Sequence, residues 1–355
     1  MACDPTPRRV QGIGSDLFRL HNPDACPPPG DELTKCWREF RAYIRQAEGF
    51  YRGAKVLHWK SSPLNYYYSF LNLAKAVCLV QGALPAQAAA EPRIIRHGLS
   101  ARVVVGDPDV WRLAVGQADD VFPILYRVSF GMAINPNTLL DARDLLGYVI
   151  PIGWQLKVSD RASMIRSFLC RWAMLVRDRE QWDVIAIPMA APLDAMWNTL
   201  SAVYEELDPA TTKDFAFRIF NMHAVVATRF RFFQRRQPAV TDQPGVWQPT
   251  VLQAGLQQAL PNAVFENIHG SPDEFLLCLP YTADGLSLPL NEMIACYAIM
   301  FFLSSLVRYH PDYIDTIAES SDAWLIESFA KSAVITTVRY MTARVLGYTL
   351  IVSRL

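Results

Sequence analysis

The sequence predicts an α+β protein, with a helical core formed by N- and C-terminal helices and a mainly β region inserted between them. Three observations carry this. The segment Ser61–Leu99 opens with a helix that is apolar on almost every side. A second such run, LNEMIACYAIMFFLSSLVRYH, follows Pro289 and stops before Pro311. Between them lie short alternating runs separated by Gly, Asp and Pro. The expected divisions are an extended lead-in over 1–30, the N-terminal core helices over 31–99, the inserted region over 100–285 and the C-terminal core helices over 286–355.

Asp31 opens the first helix. Leu33, Trp37, Phe40, Ile44, Ala47 and Tyr51 carry it at helical spacing to about His58. The break at Lys60–Ser62 is so short that the next helix should pack antiparallel. Ser62 and Pro63 start that helix, as a capping hydroxyl and a proline at the first helical position, and Gly82 ends it. Its apolar residues cover nearly the whole circumference, leaving a narrow polar stripe of Asn65, Ser69 and Asn72 bordered by Lys75. Such a helix must be buried on most sides. After His97 the pattern changes. Ala101–Val105, Trp111–Val115, Phe122–Phe130, Gln155–Val158, Ser167–Val176 and Asp183–Ile187 read as strands, Arg177–Glu180 as a hairpin tip and Glu274–Leu279 as the last strand. Thr138–Leu146 and Leu193–Leu207 read as helices and Ala216–Gln234 as either type. The stretch 237–262 reads as a Pro/Gln-rich loop with room for one short helix. Asp322–Leu346 is the final amphipathic helix, with a break expected near Ser332.

The chain's 355 residues are 51% hydrophobic, enough to fill one large or two ordinary domains and too apolar for disorder. A net charge of zero excludes a global field that draws the chain to nucleic acid or an anionic membrane. Arginine outnumbers lysine, which suits bidentate contacts to carboxylate or phosphate and equally reflects genome composition. Seven scattered cysteines without a CxxC pair read as reduced thiols of a cytoplasmic protein. The N-terminus lacks the apolar core of a secretory signal, and Met293–Val307 is short for a bilayer span, so no membrane is expected. No P-loop, GxGxxG, GxSxG, HExxH or metal-ligand cluster occurs, and no cofactor is expected. Asp144 with Gln155 and Lys157 loosely matches a metal-nuclease strand motif, but the second carboxylate is missing.

Several short motifs together resemble the YaaC-like family of bacterial proteins. They are Ser62-Pro63-Leu64 leading to Tyr67-Tyr68, then Leu71-Asn72-Leu73-Ala74-Lys75-Ala76, then His97-Gly98-Leu99. Val121-Phe122-Pro123, Leu145-Leu146 with Ile150-Pro151, and Leu306-Val307-Arg308-Tyr309 before Pro311-Asp312 complete the set, over about residues 35–345. This resemblance implies an architecture more than an activity. The helical part is also similar to HEPN domains, which implies RNA association or an RNase role in bacterial stress or phage defence. The Arg–His pair typical of those domains is met in spacing by Arg52 and His58, on the wrong helix, while Arg93 and His97 are one residue too close.

Four sites are candidates. His97, after Arg96 and before a glycine in a loop leaving the central helix, has the chemistry of a general acid or base, or simply forms a turn. Arg308 and Tyr309 close the other apolar helix, where Arg308 can reach the start of the Pro63 helix or bond its own last carbonyls. The stripe Asn65, Ser69, Asn72 and Lys75 lines either a helix–helix seam or a small-molecule site between the apolar helices. The run from Thr228 to Gln237 places Arg229, Arg231, Arg235 and Arg236 among aromatics, as a single-stranded nucleic-acid patch or an edge strand with Phe230 and Phe232 inward. The leading expectation is a non-enzymatic interaction or RNA-associated module, with RNA or a protein as partner. The alternatives are a nuclease or phosphodiester-acting toxin using His97, and a small-molecule-binding protein.

Overall fold

The structure, a computed structural model, describes residues 31–81, 96–102, 111–177, 180–192, 197–208, 220, 222, 224–238, 249–267, 273–283 and 285–345. The expected lead-in, the strand beyond Arg102, Arg93, the hairpin residues Asp178 and Arg179, and the first part of 193–207 lie outside them.

In chain order the first part comprises α1 (Asp31–Lys55), α2 (Ser62–Val80), β1 (Leu99–Arg102), β2 (Arg112–Val115), α3 (Val121–Phe130), β3 (Leu139–Asp141) and α4 (Ala142–Leu145). Next come α5 (Gly153–Val158), β4 (Ser167–Arg177), β5 (Glu180–Pro188), α6 (Trp197–Val203), β6 (Tyr204–Glu206), α7 (Ala224–Ala227) and β7 (Phe230–Arg235). They are followed by α8 (Pro249–Ala259), β8 (Val264–Asn267), β9 (Glu274–Cys278), β10 (Tyr281–Ala283) and β11 (Leu286–Leu288). The chain closes with α9 (Glu292–Tyr309), α10 (Pro311–Glu319) and α11 (Ala323–Val345), which is unbroken at Ser332. The protein is α+β. It divides into two compact units, one of residues 1–155 with 292–348 and the other of 156–291 with 349–355.

In the helical unit, α2 packs against α1, α3, α9 and α11. Every residue of α9 from Glu292 to Leu306 is buried, because the helix has no polar face to turn outward. By length and composition α9 is also long and apolar enough to cross a membrane, yet 83% of it lies inside the fold. Tyr67 of α2 meets Tyr297 and Phe301 of α9 edge-on at 5.8 and 5.2 Å, and the Tyr68 hydroxyl accepts from Arg308. Each such large apolar side chain, fully buried, contributes roughly 1.5–3 kcal/mol.

Residues 122–130, expected as a strand, form α3. Asp120 and Pro123 mark a helix start, and Gly131 ends the helix at φ 71°, donating to the Arg127 carbonyl at 2.8 Å. These end signals outweigh the β-branched and aromatic content. Gln155–Val158 is likewise helical, within α5. In 138–146 a strand comes first: β3 pairs with β2, and Asp141 then caps α4 by accepting from the Arg143 and Asp144 N–H groups. Glu274–Cys278 is not the last strand, since the hairpin β10–β11 follows it.

The second unit holds a six-stranded antiparallel sheet in the order β6-β7-β5-β4-β9-β8. Alternation along β5 puts Ile185 and Ile187 into one core with Trp172, Leu200, Leu256 and Phe275, under α6 and α8. Val184 and Ala186 enter a smaller core on the other face with Phe220 and Phe232. The short helix allowed for within 237–262 is α8.

Candidate functional site

The helical unit holds the site, and its geometry begins at a glycine. Gly98 sits at φ 84°, where a Cβ would come within 2.7 Å of Pro123 Cδ and 2.8 Å of Asp120 Cβ. The neighbouring Gly116 N–H donates to the Gly98 carbonyl at 2.9 Å, and a Cβ on Gly116 would strike Asp120 Oδ2. That carboxylate oxygen accepts from the Gln117 N–H at 2.9 Å. The Arg96 and His97 carbonyls in turn accept from the Val121 and Phe122 N–H groups, which have no partner within α3 itself. The backbone of the His97 loop is therefore clamped against the entry of α3.

The His97 ring lies 4.9 Å from that of Phe301 on α9 and keeps one side open to solvent. Burial holds its pKa below the ordinary histidine value. The Asp120 charge and a backbone hydrogen bond with Leu99 oppose that, while the Arg308 and Lys75 charges reinforce it. These influences bring Lys75, His97, Asp120 and Arg308 into one electrostatic neighbourhood. Lys75 is half-buried, with its Nζ 5.5 Å from the ring centre of Tyr43. Burial lowers its pKa and the nearby Glu39 opposes the shift. Arg308 donates from Nη1 to the Tyr68 hydroxyl at 3.0 Å and lies 4.8 Å from the ring centre of the exposed Tyr309. Arg96 is exposed beside His97.

The polar stripe faces α1. Ser69 is fully buried and donates to the Ala47 carbonyl at 2.9 Å, Asn65 packs beside Gly53, and Asn72 donates to the Tyr68 carbonyl of its own helix at 2.8 Å. Only Lys75 of the four joins the cations. Arg52 pairs with Glu48, and His58 accepts from the Lys60 N–H, away from His97.

The four arginines of the second unit lie on or beside β7, which is paired on both sides rather than at an edge. Arg231 makes a bidentate pair with Glu206 at 2.8 and 2.9 Å. Arg235 reaches the fully buried Asp183 at 3.4 Å, and Arg236 donates to the Ser201 carbonyl at 2.7 Å. Arg229 is exposed. Three of the four thus already serve the unit's own acceptors. Phe232 is buried with Phe230 packed against it in the smaller core.

Among the described residues, no group of three His, Cys, Asp or Glu side chains is placed to hold a metal ion. Lys157, the lysine of the nuclease-like fragment, is on a helix. Sequence reasoning missed Asp120, Gly116 and Tyr68. The signal for the first two was the pairing of His97-Gly98 with a second glycine, four residues before an aspartate that opens a helix. No curated protein and no solved structure matches the chain. The likeness of the helical part to HEPN domains finds no support. The model of the YaaC-like family matches residues 32–344, and the chain belongs to that family.

Proposed function

We propose that this YaaC-like protein is a non-enzymatic interaction module that holds the phosphate backbone of RNA at the cluster of Lys75, His97 and Arg308. The observation that carries the reading is that two cations, Lys75 of α2 and Arg308 of α9, both act on the neutral His97 of the loop between α2 and β1. Asp120 is a carboxylate within it, but one oxygen is engaged by the Gln117 N–H. Phosphate contacts from lysine and arginine supply most non-specific RNA affinity. Arginine adds a planar fork that matches phosphate oxygens. Such a module suits RNA binding in bacterial stress or phage defence. The test is fluorescence anisotropy with a labelled RNA at low salt. Arg308→Gln is expected to weaken binding about tenfold, the equivalent of one charge-assisted contact, with a smaller loss for Arg236→Gln. Equal affinity of Arg308→Gln and the unaltered protein would refute the placement.

A second reading, a phosphodiester-acting nuclease or toxin, is favoured by one observation. Burial holds His97 below the ordinary histidine pKa, so its imidazole is neutral near neutral pH and free to accept a proton, although as a weaker base than an ordinary histidine. RNA cleavage abolished by His97→Ala while binding persists would support it. RNA left intact by the unaltered protein would refute it.

A further inference from the structure

The aromatic residues around Arg308 form a row of successive contacts. Phe50 of α1 lies on Tyr68 of α2 with ring centres 5.1 Å apart and planes 28° apart. The Arg308 guanidinium follows, 5.9 Å from the centre of Tyr68 and fixed to its hydroxyl. Tyr309 is the outermost layer, 4.8 Å from the guanidinium. Three elements thus contribute to a ladder that runs from the half-buried Phe50 to the exposed Tyr309. Tyr309 stands 63% exposed at the end of a helix that is otherwise buried almost throughout. Exposure of a large aromatic ring at such a position loses burial energy that the fold uses everywhere else along α9.

We infer that Tyr309, braced by Arg308, is a stacking platform for an unpaired base, so that the site takes single-stranded rather than duplex RNA. The inference rests on the phosphate-binding reading above and names the strand form that the site selects. The chemistry is general. A ring adjoining a cation cluster receives a base on its open face while the cations hold the adjoining phosphates, and every base has such a face. A base within a duplex has both faces covered by its neighbours and cannot add to the ladder. The arginine beside Tyr309 is already anchored, because Nη1 donates to the Tyr68 hydroxyl before any ligand arrives.

The test uses the full chain and two probes of one length, a fluorescein-labelled oligouridylate and the same strand annealed to its complement. The unaltered protein should bind the single strand at least tenfold more tightly than the duplex. Tyr309→Leu should weaken single-strand binding about 5- to 150-fold, the range for loss of one base–aromatic stack. Duplex binding should stay the same, and Tyr309→Trp should restore the preference. Equal binding of the two probes, or a Tyr309→Leu variant that keeps the preference, would overturn the platform while leaving the phosphate site standing. Failure of the unaltered protein to bind either probe would overturn the phosphate site and the platform together.

Discussion

Gly98 fixes the position of His97. Its positive φ and its contact with Asp120 and Pro123 leave no room for a side chain, so the loop can take only one path past α3. His97 inherits an environment in which burial, the largest influence, disfavours its charged form. The sign follows directly. As pH falls, the unfolded chain takes up a proton at the ordinary histidine value of about 6.5, before the folded protein does. Stability contributed by neutral His97 is present above that value and is lost as pH falls through it toward the lower folded pKa. His97→Gln should therefore flatten the dependence of stability on pH between about 5 and 7, measured as urea midpoints at successive pH values. An unchanged dependence would place the imidazole in solvent-like surroundings.

At the scale of elements, the same arginine-rich run shows what pattern reveals and what it conceals. Alternation offered, as one of two readings, an edge strand with Phe230 and Phe232 inward, but neither the pairing of β7 on both sides nor the partners of the arginines. Those partners come from distant segments: Glu206 on β6, Asp183 on β5 and the Ser201 carbonyl on α6. Gly255 of α8 would, with a Cβ, crowd both Tyr204 Oη and Arg235, so the helix approaches the pair closely. Removing one partner from a buried ion pair leaves an uncompensated charge. Arg235→Met should accordingly cost about 3 kcal/mol, while Arg236→Met, at an exposed position, should cost less than about 1 kcal/mol. Chemical denaturation measures both, and equal costs would mean that Arg235 has no structural role. Similarly, α3 was misread because its residues 122–130 have strand composition. The deciding features are its ends, where the Arg96 and His97 carbonyls and Gly131 satisfy or terminate the backbone.

At the scale of the molecule, the two helices that organise the helical unit were legible because each is apolar all round, and burial is the only environment such a helix tolerates. The polar stripe on α2 was visible too, but sequence could not say which neighbour it faces. Ser69 answers that by bonding to α1. The electrostatic link of Lys75 and Arg308 to His97 was not legible, since it depends on the packing of α2 with α9 and on the clamp around Gly98. With zero net charge overall, RNA affinity must come from such local cations and not from a long-range field. The dependence of RNA affinity on salt therefore tests the account most directly, because each phosphate neutralised on a single strand contributes about −0.7 to the slope of log K against log salt. Replacing both Lys75 and Arg308 by glutamine should reduce the magnitude of that slope by about 1.4, two such contacts, whereas replacing Arg229 and Arg236 should leave it nearly unchanged. A slope unaltered by the first pair, or lost with the second, would contradict the assignment of RNA binding to the helical unit.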